Sequence, residues 1–170
     1  MSRLWLARHA EAEIDESGLT GAGRRQAALL GERLAGVGIT RVSHSPLARA
    51  AETASIVGEH LPGVPVEAVD ELTDALPTDD PAAADAMVAR FADPAADELC
   101  ITHSFQVAWF VRAVLEAPAA RWRGLNSCNT GLTVLRWAPG RPAVPLVFND
   151  VTHLPPGLRW TGFPPELRLP

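Results

Sequence analysis

The chain contains no lysine and no tyrosine; all 15 of its positively charged side chains are arginine. The first absence excludes a Schiff-base lysine, a pyridoxal-phosphate anchor and a Walker-A lysine. The second excludes a tyrosine nucleophile. Any anion the protein grips must be held by arginine, histidine or backbone N–H groups. Cysteine is nearly as scarce. Cys100 and Cys128 are the only two, and without a C-x-x-C they form neither a zinc site nor a disulfide framework. Both read as small buried residues. No apolar run reaches the roughly 18 residues of a membrane span. The first residues meet charge too soon to form a signal peptide. The expected location is the cytoplasm, with no membrane partner. A nucleophile elbow, G-x-S-x-G, is also missing. His9-x-Glu11 without paired cysteines does not make a zinc deaminase.

What is present describes an ordinary globular chain. At 170 residues one domain spanning 1–170 is expected. Hydrophobic residues make up 47%, enough for a sizeable core, and 13 Gly with 15 Pro fall short of a disordered composition. The net charge of −5 gives no general attraction to nucleic acid. Its distribution is uneven. Residues 1–50 carry +2, residues 51–100 carry −11 and residues 101–170 carry +4. A site for an anion is expected from the two ends.

Arg3 to Arg8 reads as a strand apolar on both faces, which suits a central, doubly covered position. Thr20 caps a helix running to about Ala35, ended by Gly36 and Gly38. Arg41 to His44 is a second strand, and Ser45 is read as the cap of a helix with Pro46 in its first turn. Val64 to Val69 is a third strand, and Asp70 to Pro81 an acidic loop. A weak helix follows over Pro81 to Phe91. Leu99 to Thr102 is a fourth strand, Ser104 to Glu116 an apolar helix, and Leu132 to Trp137 and Val144 to Phe148 two more strands. From Pro139 onward 8 of 32 residues are proline. Apart from the short Val144 to Phe148 segment, that tail, 139–170, reads as an ordered coil wrapping the surface or as partly mobile. Alternating strands and helices predict a three-layer α/β/α sandwich with a mostly parallel sheet. Ligands of such folds bind beyond the carboxyl ends of the strands.

Those ends carry the chemistry. Arg8-His9 follows the first strand and His103-Ser104 the fourth. His44-Ser45 ends the second and leads into a helix bearing Arg49. Each alone is a weak signal; together they present three histidines and two arginines on one side of the sheet.

The pieces resemble, in order, the motifs of the histidine phosphatase superfamily, the group of phosphoglycerate mutases and acid phosphatases. They are Leu6-Ala7-Arg8-His9-Ala10-Glu11, Leu19-Thr20-x-x-Gly23-x-x-Gln26-Ala27, and Ser45-Pro46-Leu47-x-Arg49-Ala50-x-Glu52-Thr53-Ala54. Ile101-Thr102-His103, Asn129-Thr130-Gly131 and Asn149-Asp150-x-Thr152-His153-Leu154 follow. The resemblance covers about residues 3–154. It implies a phosphoglycerate mutase-like fold and His9 as the nucleophile, with Arg8, Arg49 and His103 forming the phosphate pocket. Neither metal nor cofactor is implied. A neutral imidazole can attack phosphorus in line and form a phosphohistidine, and the nearby guanidinium groups keep it neutral. Arginine pairs bidentately with phosphoryl oxygens. A protonated His103 would donate to a third oxygen. The resemblance places a proton donor after the third strand, where Asp74 fits best and Glu71 is the alternative.

The sequence departs from the family pattern at Ala10 and Ala12, in a short loop from His9 to Leu19, and at Ser104 and Phe105. Ser104 would give phosphate its hydroxyl or N–H, or cap the helix. Gln106 could line the pocket. His44, His60 and His153 read as structural or surface residues. The expected activity is hydrolysis of a phosphomonoester or phosphohistidine. The substrate would be a small phosphorylated molecule or a phosphohistidine protein. The rivals are a phosphoglycerate mutase-type transferase, for which the chain has little room for a capping insertion, and a non-catalytic phosphate-binding protein.

Overall fold

A computed structural model describes residues 2–168. Its elements are β1 (Ser2–Arg8), α1 (Gly21–Leu34), β2 (Arg41–His44), α2 (Ala48–Glu59), β3 (Val66–Ala68), α3 (Pro81–Phe91), β4 (Glu98–Thr102), α4 (Ser104–Val114), β5 (Leu132–Ala138) and β6 (Arg141–Asp150), with short 3-10 turns between and after them. One sheet has the order β3-β2-β4-β1-β5-β6. The first four strands in that order are parallel; β5 runs antiparallel to both β1 and β6.

The pleat of β1 explains the three layers. Leu4 and Leu6 point to one face and pack with Met87, Phe91, Val107 and Phe110 of α3 and α4. Trp5 and Ala7 point to the other and pack with Leu30, Leu34, Ala50, Ala54 and Val57 of α1 and α2. Cys100 and its neighbours Leu99 and Ile101 split the same way along β4. A strand covered on both faces has to be apolar throughout, which is why β1 reads as a continuous apolar run.

Three expectations need correction. Ser45 does not cap a helix: α2 starts at Ala48 with Leu47 in the cap position and no side-chain cap bond. The Ser45 hydroxyl is turned to His103 instead. The last strand is longer than Val144 to Phe148. It runs ten residues and admits Pro142 and Pro145 because it is the edge of the sheet, where a missing N–H costs least. The tail beyond it does not merely wrap the surface. Leu158 and Thr161 are tied to α1 through Gln26, and Thr161 and Gly162 to the strand ends through Asn129 and Arg8.

Candidate active site

The parallel register assembles the site. Arg8 lies opposite Thr102 and His44 opposite Ile101, so the residues that follow leave the sheet side by side. The ladder continues past the strands: His9 N–H donates to Thr102 O (2.9 Å) and Ser45 N–H to Ile101 O (3.0 Å). The His9 and His103 rings come to 5.1 Å between centroids. Both are buried, at 7% and 1% exposure. Arg49 reaches the same place from the first turn of α2.

Burial, with Arg8 next in weight, pushes His9 down to about 3. Burial followed by Arg49 and Arg8 does the same to His103, also to about 3. Both imidazoles are neutral at pH 7, and their tautomers follow from their partners. His9 Nδ1 lies 2.7 Å from the Ala10 carbonyl. A carbonyl only accepts, so Nδ1 carries the proton and the lone pair sits on Nε2. His103 Nε2 lies 2.8 Å from Ser45 Oγ, while Nδ1 faces Asp74 Oδ2 at 3.6 Å. With the serine donating to Nε2, His103 presents an N–H from Nδ1 as a neutral ring, not as the imidazolium expected from sequence.

The arginines are held differently. Arg8 Nη1 donates to the carbonyls of Ser127 (2.8 Å) and Gly162 (2.7 Å). Arg49 pairs with Asp74 (Nη2 to Oδ2, 2.7 Å) and with Glu16 (Nη1 to Oε2, 3.2 Å). Together with His9, both guanidinium groups line an open cleft of about 380 Å³ that also includes Glu11, Glu13, Glu16, Asp74, Asn129 and Gly162. Two larger or more apolar hollows lie elsewhere: one beside Arg24, the other between the 70–80 segment and α3. Neither contains His9 or Arg49.

Asp74 is thus brought to His103 and Arg49. Glu71 is not: it pairs with Arg90. Two bonds pin the segment carrying Asp74. Thr102 Oγ1 donates to Leu72 O (2.7 Å), and Gln106 Nε2 donates to Ala75 O (2.7 Å). Gln106 therefore supports the acid's backbone. The Ser104 hydroxyl is 3.3 Å from Ser127 Oγ. It steadies the turn whose carbonyl holds Arg8 and is not among the cleft-lining groups. His44 bonds to the Ser45 carbonyl, His60 packs against Gly31, and His153 meets Thr130 Oγ1.

The polar residues Thr53, Gln26 and Asn129 of the motifs turn out to be scaffold. Thr53 Oγ1 accepts from Ala10 N–H (3.0 Å) and donates to Arg49 O (2.6 Å), linking the histidine's loop to the arginine's helix. Gln26 Oε1 accepts from Glu11 N–H, and its amide nitrogen reaches Leu158 O and Thr161 Oγ1. Asn129 Nδ2 donates to His9 O (2.9 Å). Sequence reasoning missed Glu16, Ser45 and Gly162 as site groups. Only Ser45 lay inside a motif.

Three histidines, two buried and one half-buried, give a pH prediction. Burial also lowers His153, to about 4. An unfolded histidine titrates near 6.5. Between that value and 3–4 the unfolded chain binds protons that the folded one does not, so stability falls as pH drops through this window and levels off below it. Urea midpoints measured from pH 7 to pH 4 should fall continuously. The slope should approach the uptake of three protons on unfolding, and one fewer in His153→Gln. A flat profile over that range would contradict the neutral state of these rings.

Residues 4–76 match the sequence model of the histidine phosphatase superfamily (branch 1). The chain is 28% identical over 184 aligned positions to the mouse mitochondrial serine/threonine-protein phosphatase PGAM5, covering 90% of this chain and 64% of that protein. It is 29% identical to its Caenorhabditis elegans counterpart with the same coverage. The chain thus spans somewhat under two thirds of these relatives. Among solved structures, a phosphoserine phosphatase from Entamoeba histolytica in complex with phosphoserine superposes with a TM-score of 0.75 at 19% identity, covering 91% of this chain and 100% of that one. A putative alpha-ribazole-5'-P phosphatase from Escherichia coli gives 0.74 at 22% identity, covering 88% and 98%. The Plasmodium falciparum phosphoglycerate mutase gives 0.70 at 22% identity, covering 91% and 94%. The chain is thus similar to the histidine phosphatase superfamily over its first half and has the phosphoglycerate mutase-like fold.

Proposed function

We propose that the protein is a phosphatase that hydrolyses a phosphomonoester through a phosphohistidine on His9 Nε2. The observation that carries this reading is the state of that ring: buried, neutral, and tied through Nδ1–H to a carbonyl so that Nε2 keeps its lone pair. The relatives and neighbours that carry "phosphatase" in their names support it. In the first step the N–P bond forms as the ester P–O bond breaks. Arg8, Arg49 and the His103 Nδ1–H stabilise the phosphoryl oxygens, and Asp74 gives its proton to the leaving alkoxide. In the second, water attacks phosphorus, Asp74 takes the water's proton, and the N–P bond breaks to release phosphate and neutral His9. The phosphoryl group competes with Asp74 for Arg49, which frees the carboxyl for this role. We also read the enzyme as cytoplasmic from its composition, although the PGAM5 relatives are named mitochondrial. Among the described residues no helix is long and apolar enough to cross a membrane.

A substrate panel with wild type and Asp74→Asn tests the assignment. Para-nitrophenyl phosphate has a leaving group that needs no proton; an alkyl phosphate does. Asp74→Asn should lose about 10²-fold in kcat/KM on the alkyl ester and little on the aryl ester. A uniform loss would remove Asp74 as the donor. Absence of turnover on both para-nitrophenyl phosphate and a phosphohistidine peptide would favour a phosphate-binding protein.

A further inference from the structure

We propose that this site selects phosphomonoesters bearing an ammonium group close to the ester, and that Glu16 is the selecting residue. The proposal rests on the reading above only for where the phosphoryl group sits. The charge of the cleft is the starting observation. Two guanidinium groups, Arg8 and Arg49, share its lining with four carboxylates, Glu11, Glu13, Glu16 and Asp74. The deep end is built for an anion. His103 Nδ1 is buried, has no hydrogen-bond partner among the described residues, and is turned toward Asp74 beside Arg49. The mouth is built for the opposite charge, because among the described residues no positive side chain other than those two arginines lines the cleft.

Glu16 connects the two ends. Its carboxylate sits 3.2 Å from Arg49 Nη1 while the side chain remains 69% exposed. A phosphoryl group takes over that guanidinium N–H, since it offers more charge and a bidentate geometry. The displaced carboxylate has nowhere distant to go. Its loop is a short hairpin closed by the Ala12–Leu19 bridge, by Glu13 N–H to Gly18 O (3.0 Å) and by Glu16 N–H to Glu13 O (3.0 Å), with Glu16 itself at φ 60°. It stays at the mouth, next to the atoms of the leaving group. A carboxylate on the substrate meets like charge there, and an ammonium meets a partner. Specificity would then combine an attraction with a built-in repulsion.

The test compares O-phosphoethanolamine, ethyl phosphate and 2-phosphoglycolate, which present a cation, nothing and an anion at similar distance from phosphorus. Wild type is expected to favour phosphoethanolamine over ethyl phosphate by about tenfold in kcat/KM, and over phosphoglycolate by more. In Glu16→Gln the two shifts should have opposite signs. KM for phosphoethanolamine should rise several-fold, while KM for ethyl phosphate should fall, because Arg49 has lost its internal competitor. A purely structural role of Glu16 would move both in the same direction. Equal preference in wild type, or parallel shifts in the variant, overturns the proposal. Should no ester be turned over, the phosphatase reading fails. The same comparison by calorimetric binding to His9→Ala, with and without Glu16→Gln, then decides the selectivity separately.

Discussion

His9→Ala is expected to lower phosphatase turnover by a factor on the order of 10⁴ or more while leaving the fold intact. If His9 is the nucleophile as proposed, the loss is large because nothing else among the described residues of the cleft can take its place. His103 is the other imidazole, and its Nε2 is occupied by Ser45. The chain has neither lysine nor tyrosine to substitute. The fold should survive because the bonds that fix this turn use its own backbone groups, not the His9 side chain: His9 N–H to Thr102 O, Thr130 N–H to Arg8 O, and Asn129 Nδ2 to His9 O. Alanine preserves all three. Wild type quenched in base after mixing with substrate should carry a base-stable, acid-labile phosphoryl group visible by ³¹P NMR, and the variant none. The variant should also lose one proton from the pH slope of stability, since the depressed histidine is gone. Turnover unchanged in His9→Ala would end the phosphohistidine mechanism.

The parts of this site that could be read from the sequence are those that follow strand ends. Arg8-His9 and His103 sit immediately after β1 and β4, and the parallel pairing of those strands converts sequence position directly into adjacency. Arg49 was legible because its helix begins just beyond β2. The helix-entry pattern of Thr20, Gly23 and Gln26 was legible as a motif but not as a mechanism. Thr20 caps α1 through Gly23 N–H, and Gly23 lies so close to the Glu11 backbone that any side chain would collide with it. Gln26 ties that backbone to the tail. Ser45 was misread because Ser followed by Pro is a common helix entry, and only the third dimension shows that a histidine 58 positions away claims the hydroxyl. Glu16 was invisible for a different reason. Its contact with Arg49 depends on a left-handed residue in a loop, and an exposed glutamate there has no pattern.

The tail carries the second prediction: Gly162→Ala should cost about 10²-fold in kcat/KM although residue 162 lies far along the chain from the strand ends that carry the pocket. Gly162 adopts φ 70°, a conformation that side chains resist at about 1–2 kcal/mol. A Cβ there would lie 2.5 Å from Asn129 Oδ1 and 2.7 Å from Arg8 Nη1. Neither neighbour is free to retreat. Asn129 holds the His9 carbonyl, and Arg8 Nη1 takes its orientation from the Gly162 and Ser127 carbonyls. The methyl group would therefore push Arg8 off its position in the cleft, and if Arg8 binds the phosphoryl group as proposed, an ångström of misplacement is enough for such a loss. A double-mutant comparison separates this from general destabilisation. If Gly162 acts through Arg8, then Gly162→Ala added to Arg8→Ala should cost little more than Arg8→Ala alone. Additive losses would mean that the tail acts on the site by another route, and unchanged activity in Gly162→Ala would show that the Arg8 guanidinium does not need this strap. The proline content that made the tail look like wrapping fits its task. Pro155, Pro156, Pro164 and Pro165 flank and fill two 3-10 turns, Pro156–Leu158 and Pro165–Leu167. Fixed φ angles at those positions lower the entropy lost when the strap is ordered, and so help hold the Gly162 carbonyl where Arg8 requires it.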